Sequence, residues 1–318
     1  MLSYVISINP MPTLSVTREI LNRNSDGLIN FKGMLVGNPW VDPGSTMMTR
    51  FSALYSHGLV AKPWYDKFKN VCTVDDAYDP STECEQIMDL IDNNIGDDIN
   101  PYALDYPICT PELSKFYTAD KSSTALMKRL HSHSSQVLSL LKHMRKEGPP
   151  FLPPWDDYKP CAEQNFAKYM NRPDVQEALH VKEGVVWGPC NENITDMYSN
   201  EDVMTPIVNL YQELIQEGAE GLHDLDLMIL SGDDDSICAL EGTQTWIYDM
   251  GVKPKEGSVW NPWYVNQQVA GYITKFDLGK STNATFTLAT VHGCGHEVPA
   301  YLPLEGLELF KKYLGGDL

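Results

Sequence analysis

Apolar and polar positions along this chain follow two rhythms. Between residues 13 and 24, Leu14, Thr17, Ile20 and Leu21 fall on one helical face, while Arg18, Asn22 and Arg23 fall on the other. The turn Asn24-Ser25-Asp26-Gly27 stops that helix. Residues 31–36 then read as a short apolar strand, ended by Gly37-Asn38-Pro39. The same strand pattern returns at residues 225–230 and 286–291. Before the first of these, Thr205 is a candidate N-cap, Pro206 a first helical residue, and Ile207, Leu210, Tyr211 and Leu214 an apolar stripe that Gly218 closes. Leu304, Leu307, Phe310 and Leu314 supply the core face of a last helix. Strands alternating with helices predict an α/β fold with a mostly parallel sheet and functional loops at the strands' C-terminal ends.

The rhythm breaks between residues 49 and 183, which turn to helices and proline-bearing loops and hold four of the seven cysteines. We therefore expect core residues 1–48, a helical cap or insertion at 49–183, and core again at 184–318. Within the insertion, residues 71–100 carry nine acids and no base, and residues 121–146 carry six bases and no acid. The basic run, with Leu126, Leu130, Val137, Leu138 and Leu141 interleaved, reads as a solvated helix or linker paired with the acidic segment, or as a membrane- or partner-binding helix. His131, His133 and His143 read as surface residues.

A net charge of −19 argues against nucleic acid, whose phosphates need Lys and Arg. No apolar run reaches the roughly 18 residues that a membrane span requires. Residues 1–9 are too short, and lack the basic start, for a signal peptide. Asn193-Ile194-Thr195 and Asn283-Ala284-Thr285 are glycan acceptor sequons, meaningful in a secreted protein. No cysteine pair has Cys-x-x-Cys spacing, so disulfides in an oxidising compartment are expected, with no metal site and no cofactor.

The chemistry sits late in the chain. Ile229-Leu230-Ser231-Gly232-Asp233-Asp234-Asp235 reads as a strand entering a turn, and Thr290-Val291-His292-Gly293-Cys294-Gly295-His296 as a strand entering a glycine-flanked His. A serine hydroxyl needs an imidazole to take its proton, and the imidazole needs a carboxylate to fix its tautomer. An acid and then a His, each past a strand, form the second half of the Ser…Asp…His order of α/β-hydrolases. Asp235 is the favoured acid and His296 the base; Asp233 and Asp234 read as turn or solvent residues.

Further stretches resemble a family. Residues 31–39 (Phe-Lys-Gly-Met-Leu-Val-Gly-Asn-Pro), Ser56-His57-Gly58-Leu59, residues 171–180 (Asn-Arg-Pro-Asp-Val-Gln-Glu-Ala-Leu-His), Gly242-Thr243-Gln244 and residues 293–299 resemble the serine carboxypeptidases. These α/β-hydrolases remove C-terminal residues from peptides. The resemblance implies an incomplete α/β-hydrolase sheet with a mainly helical cap insertion, and peptide or protein C-termini as substrate. It implies Asp235 and His296 as catalytic acid and base, and Glu297 at the pocket for the leaving residue. It also implies disulfides Cys72–Cys84 and Cys109–Cys161, and a vacuolar, lysosomal or secreted location. Cys190 resembles a cysteine whose partner lies in an N-terminal region of the family; Cys238 and Cys294 are either a pair near the site or two buried thiols.

The nucleophile departs from the family pattern. The family elbow reads Gly-Glu-Ser-Tyr-Ala-Gly shortly before the helix at residues 13–24, where Ser3-Tyr4 is followed by Val5 and Ile6. Ser3 is thus the candidate nucleophile, in a setting without the small residues the strained turn needs. Ser56 and Ser281 have a glycine on one side only. The sequence as written is expected to begin after most of the catalytic half, to leave an open edge on the strand at 31–36, and to be inactive and poorly stable. Three functions follow: a serine-type carboxypeptidase homologue, a non-catalytic peptide-binding relative, and an acyltransferase using the same triad.

Overall fold

The structure, a computed structural model, describes residues 3–7, 10–111, 158, 160–188, 190–279 and 282–318. The basic run at 121–146, its histidines and Ser281 lie outside the described residues. The described chain forms two compact units, one of residues 1–105 with 197–318 and the other of residues 106–196. Residues 49–105, which the change of rhythm assigns to an insertion, thus share the unit that holds the sheet.

The first unit is built on a six-stranded sheet of order β1-β2-β3-β6-β5-β4. Its strands are β1 (Ser3–Ser7), β2 (Phe31–Gly37), β3 (Asp226–Gly232), β4 (Asn261–Val265), β5 (Gln268–Lys275) and β6 (Thr285–Val291). β1, β2, β3 and β6 run parallel. Their buried runs, such as Met34-Leu35-Val36 and Leu227-Met228-Ile229-Leu230, are continuous rather than alternating, as strands covered on both faces require. β1 pairs with β2 over its whole length, so the edge expected to stay open at β2 is taken by the segment Ser3–Ser7. That apolar stretch was too short to register as a strand on its own.

The β4–β5 hairpin adds an antiparallel margin that the pattern of residues did not reveal. Its two-residue loop, Asn266-Gln267, has φ of 49° and 65°, the left-handed pair of a type I′ turn. Asn favours that geometry but Gln does not, which hides the turn from inspection.

Helix α1 (Pro10–Arg23) sets Leu14 into the core against Met34, Val36, Ile229 and Phe286. The helix expected from Thr205 instead begins at Val208. Thr205 closes the preceding turn, its hydroxyl donating to the Glu201 carbonyl at 2.6 Å, and the Ile207 N–H is given to Val41. At the other end of the sheet the Tyr313 hydroxyl lies 2.6 Å from the Asp226 carbonyl and 3.1 Å from that of Met34, pinning the last helix (Pro303–Gly315) across β2 and β3.

Helices α2 (Pro43–Ser56), α3 (Lys62–Val71) and α4 (Thr82–Ile95) build a second core around Phe51, Leu54, Phe68, Ile87 and Ile91. Asp42 caps α2 by accepting the Ser45 N–H, and Pro43 begins the helix. A disulfide joins Cys72 to Cys84 across the end of α3 and the start of α4. Between them Asp76 accepts the Thr73 N–H and hydroxyl and the Ser81 N–H, all within 2.9 Å. In the other unit a disulfide joins Cys109 to Cys161. There Asn171 clamps the end of the helix Ala162–Met170, donating to the Ala167 and Trp187 carbonyls and accepting the Trp187 N–H.

Candidate active site

The C-terminal ends of β2, β3 and β6 lie side by side, because Gly37 pairs with Leu230 and Gly232 with Val291. Each strand then releases one part of a polar cluster: Asn38 after β2, the three aspartates after β3, and His292 to His296 after β6. The fit between the last two is close. A Cβ at Gly232 would stand 2.3 Å from the carbonyl oxygens of Cys294 and Gly295, so only glycine lets the loops cross.

Asp235 is buried, with 1% of its surface exposed. Its Oδ2 lies 2.7 Å from His296 Nδ1 and accepts the Asn38 amide at 2.8 Å, and its Oδ1 accepts the Ile237 N–H at 2.8 Å. Nδ1 facing a carboxylate carries the ring proton, which leaves Nε2 as the acceptor. Asn38, with φ of 40°, uses its other side-chain atom to accept the Gly232 N–H at 3.0 Å. His296 is held by its N–H to the Tyr102 carbonyl at 2.8 Å, and the Tyr102 ring stands 5.3 Å from the imidazole.

Asp233 and Asp234 are not merely turn or solvent residues. Asp233 bonds His292 Nδ1 at 2.7 Å and the Gly293 N–H at 2.6 Å, fixing the start of the histidine loop. Asp234, 2% exposed, lies 3.3 Å from His57 Nε2 and accepts the Asp105 N–H. Three successive carboxylates thus take three different histidines. In a tight turn successive side chains diverge, and the row of identical letters conceals that division. The His57 imidazole is pushed up from 6.5 to about 9, chiefly by its hydrogen bond to Asp234 and against the effect of burial. Burial pushes the Asp234 carboxyl up, opposed by its hydrogen bond with His57.

Glu297 is exposed next to His296, and its carbonyl accepts the Ala300 and Tyr301 N–H groups of the short helix Val298–Tyr301. Cys238 and Cys294 are separate buried thiols whose ionisation burial pushes upward; Cys190 is exposed. Cys238 brings a third metal-type donor near Asp235 and His296, as Asp105 does near His57 and Asp234. In the first group the Asp235 oxygens are already taken by Asn38, Ile237 and His296, and a buried, protonated thiol is a poor ligand.

The register places Ser3 opposite Phe31, at the start of β1, whereas Asp235 and His296 follow the far ends of their strands. Ser7, opposite Val36, is the serine at the site's end of the sheet, and α1 begins three residues later. It carries no flanking glycine two residues away, having Val5 and Asn9 there, and so matched no elbow pattern. Ser56 ends α2 and bonds its own helix at Ala53. Asn193 and Asn283 are both exposed.

A parallel sheet that delivers an acid and a histidine from adjacent strand ends is the framework of an α/β-hydrolase. The comparisons agree: the serine carboxypeptidase family model matches residues 11–316, and the chain belongs to that family. It is 29% identical over 310 residues to serine carboxypeptidase-like 29 of Arabidopsis thaliana, covering 96% of this chain and 56% of that protein. Against serine carboxypeptidase II-1 of Hordeum vulgare it is 30% identical over 311 residues, covering 96% of this chain and 81% of the relative. The crystal structure of Kex1(delta)p, a prohormone-processing carboxypeptidase from Saccharomyces cerevisiae, is similar in fold at a TM-score of 0.62 and 17% identity, covering 99% of this chain and 62% of the other. The chain therefore spans little more than half the length of some of the curated relatives it matches.

Proposed function

We propose that this chain carries the acid–base machinery of a serine-type carboxypeptidase, acting on the C-terminal residues of peptides. The observation that carries the reading is the 2.7 Å pair between His296 Nδ1 and a doubly anchored Asp235. In this reading Asp235 fixes the tautomer, and His296 Nε2 takes the proton of an attacking hydroxyl and returns it to the leaving amine. The hydroxyl is assigned to Ser7 rather than Ser3, on the ground that β1 ends there and runs toward α1. Glu297 is assigned to the rim where the leaving residue's end group is received.

One observation favours a second reading, a peptide-binding relative without turnover. Val5 and Asn9 stand where a strained nucleophile turn uses glycine. A fluorophosphonate probe together with a blocked dipeptide substrate separates the two. Labelling that is lost in Ser7→Ala and retained in Ser3→Ala supports the hydrolase. No labelling, with peptide binding retained in calorimetry, supports the second reading.

The two disulfides suit an oxidising compartment, so a secreted, vacuolar or lysosomal location is proposed, with glycans at the exposed Asn193 and Asn283. Loss of apparent mass on treatment with a peptide N-glycosidase tests the glycans. No helix among the described residues is long and apolar enough to cross a membrane.

A further inference from the structure

We infer that His57 and Asp234 form a charged positioning pair for His296, acting through residues 100–105. The inference rests on the reading of His296 as the base. It does not depend on turnover, because the coupling is a property of the folded chain.

His57 follows the end of α2 with both ring nitrogens engaged. Nδ1 faces the Ala53 carbonyl at 2.8 Å, and Nε2 faces Asp234 Oδ1 at 3.3 Å. With Asp234 ionised, both oxygens are acceptors, and the two nitrogens facing them are satisfied when both carry protons, which makes the ring an imidazolium. Its raised ionisation, to about 9, agrees with that geometry.

The pair then reaches His296 by an unbroken series of contacts. Asp234 fastens residues 104–105 twice, its carbonyl accepting the Leu104 N–H at 3.0 Å and its carboxylate the Asp105 N–H at 3.1 Å. The Pro101 carbonyl accepts both the N–H and the hydroxyl of Ser236, the residue after Asp235. The Tyr102 carbonyl holds the His296 N–H, and the Tyr102 ring walls the imidazole. Contact here leaves no slack. A Cβ at Gly295 would stand 2.3 Å from the Tyr102 oxygen and 2.4 Å from the Ala103 Cβ. Residues 102–103 therefore cannot approach the histidine loop without displacing it.

The charges around the pair make the imidazolium matter. The Asp105 carboxylate gathers with His57 and Asp234, and both acids favour a cation on His57. Asp233 and its partner His292 lie on the adjoining turn, and the Cys294 thiol sits buried in the histidine loop, within the field of Asp233 and Asp234. A neutral side chain at position 57 leaves Asp234 as a buried carboxylate beside Asp105 with no cation. Such a charge is relieved by taking up a proton or by letting residues 104–105 withdraw toward water.

The experiment is proton and nitrogen NMR of the folded chain, following the His296 imidazole and its low-field Nδ1 proton. In His57→Gln, which keeps a donor but no charge, and in Asp234→Asn, the His296 ring resonances shift and the low-field line broadens. Lys62→Gln, a surface change on α3, leaves them in place. As a readout that needs no variant, the His296 resonances of the wild-type chain follow the titration of His57 between about pH 8 and pH 10. Unchanged His296 signals in folded His57→Gln, or wild-type His296 signals indifferent to His57 titration, overturn the inference. Clear coupling in a chain that never labels with fluorophosphonate upholds the pair and counts against the hydrolase reading instead.

Discussion

Asn38 gives its side-chain N–H to the same Asp235 oxygen that faces His296, while its side-chain carbonyl holds the Gly232 N–H. One amide thereby fixes both the acid and the start of the turn that bears it. Removing a hydrogen bond to a charged group costs about 1.5–3 kcal/mol. Asn38→Ala is therefore expected to lower the urea midpoint and to slow any fluorophosphonate labelling by roughly ten- to hundredfold. Asn38→Asp, which faces Asp235 with a second carboxylate, is expected to do more damage than Asn38→Ala.

Asp235→Asn keeps the shape of the site and removes the charge that fixes the imidazole tautomer. The corresponding change in a serine hydrolase triad costs about 10⁴ in turnover. The same order of loss in probe labelling is expected here, with far-ultraviolet circular dichroism unchanged. A variant that labels as fast as the parent counts against Asp235 as the acid.

The His57 ionisation, raised from 6.5 to about 9, ties stability to alkaline pH. A group whose folded value lies above its unfolded value contributes fully below the unfolded value and loses that contribution as pH rises through the folded one. The stabilisation from His57 is thus complete below about pH 6.5 and fades up to about pH 9. Denaturation at pH 6, 7.5 and 9.5 checks this, with the difference between parent and His57→Gln expected to shrink as pH rises.

The loop between Cys72 and Cys84 obeys the opposite sign. Hydrogen bonds from Thr73 and Ser81 hold the Asp76 carboxyl well below the usual carboxylate range. Its contribution is present above the ordinary Asp value near 3.8 and is lost as pH falls below it. Asp76→Asn is expected to destabilise at neutral pH and to differ less from the parent in acid. Replacing both Cys72 and Cys84 by Ala is expected to cost about 2–4 kcal/mol by urea unfolding.

Gly232→Ala is expected to destabilise by at least about 1–3 kcal/mol, because its methyl meets two backbone carbonyls that have nowhere to go. The change is also expected to shift His296, and chemical-shift perturbation of its ring reads that displacement directly.

How much of this was legible in the residues depended on whether a signal was local. β2, β3, β6 and the last helix announced themselves by runs of apolar residues bounded by Gly, Pro or Asn. β1 and the β4–β5 hairpin did not: β1 and β4 are only five residues long and gain their meaning from a neighbour they cannot specify alone, and the eight-residue β5 is joined to β4 by a turn its residues do not announce. At the site, spacing after a strand sufficed to single out Asp235 and His296. The work of Asp234 escaped notice because its partners, His57 and Asp105, lie 177 and 129 residues away in the chain. Ser7, the serine proposed as nucleophile, has Val5 and Asn9 at the flanking positions, so a pattern that demands glycines there does not match it.

The turn at the end of β3 acts as a common datum for the cluster. Segments that begin at residues 38, 57, 105, 292 and 296 are all located from Asp233, Asp234 and Asp235 or from the glycine before them. Insertion of one residue ahead of the three aspartates would keep every carboxylate but shift each out of line with its own histidine. Tolerance to change in this turn is therefore expected to depend on its length before its composition.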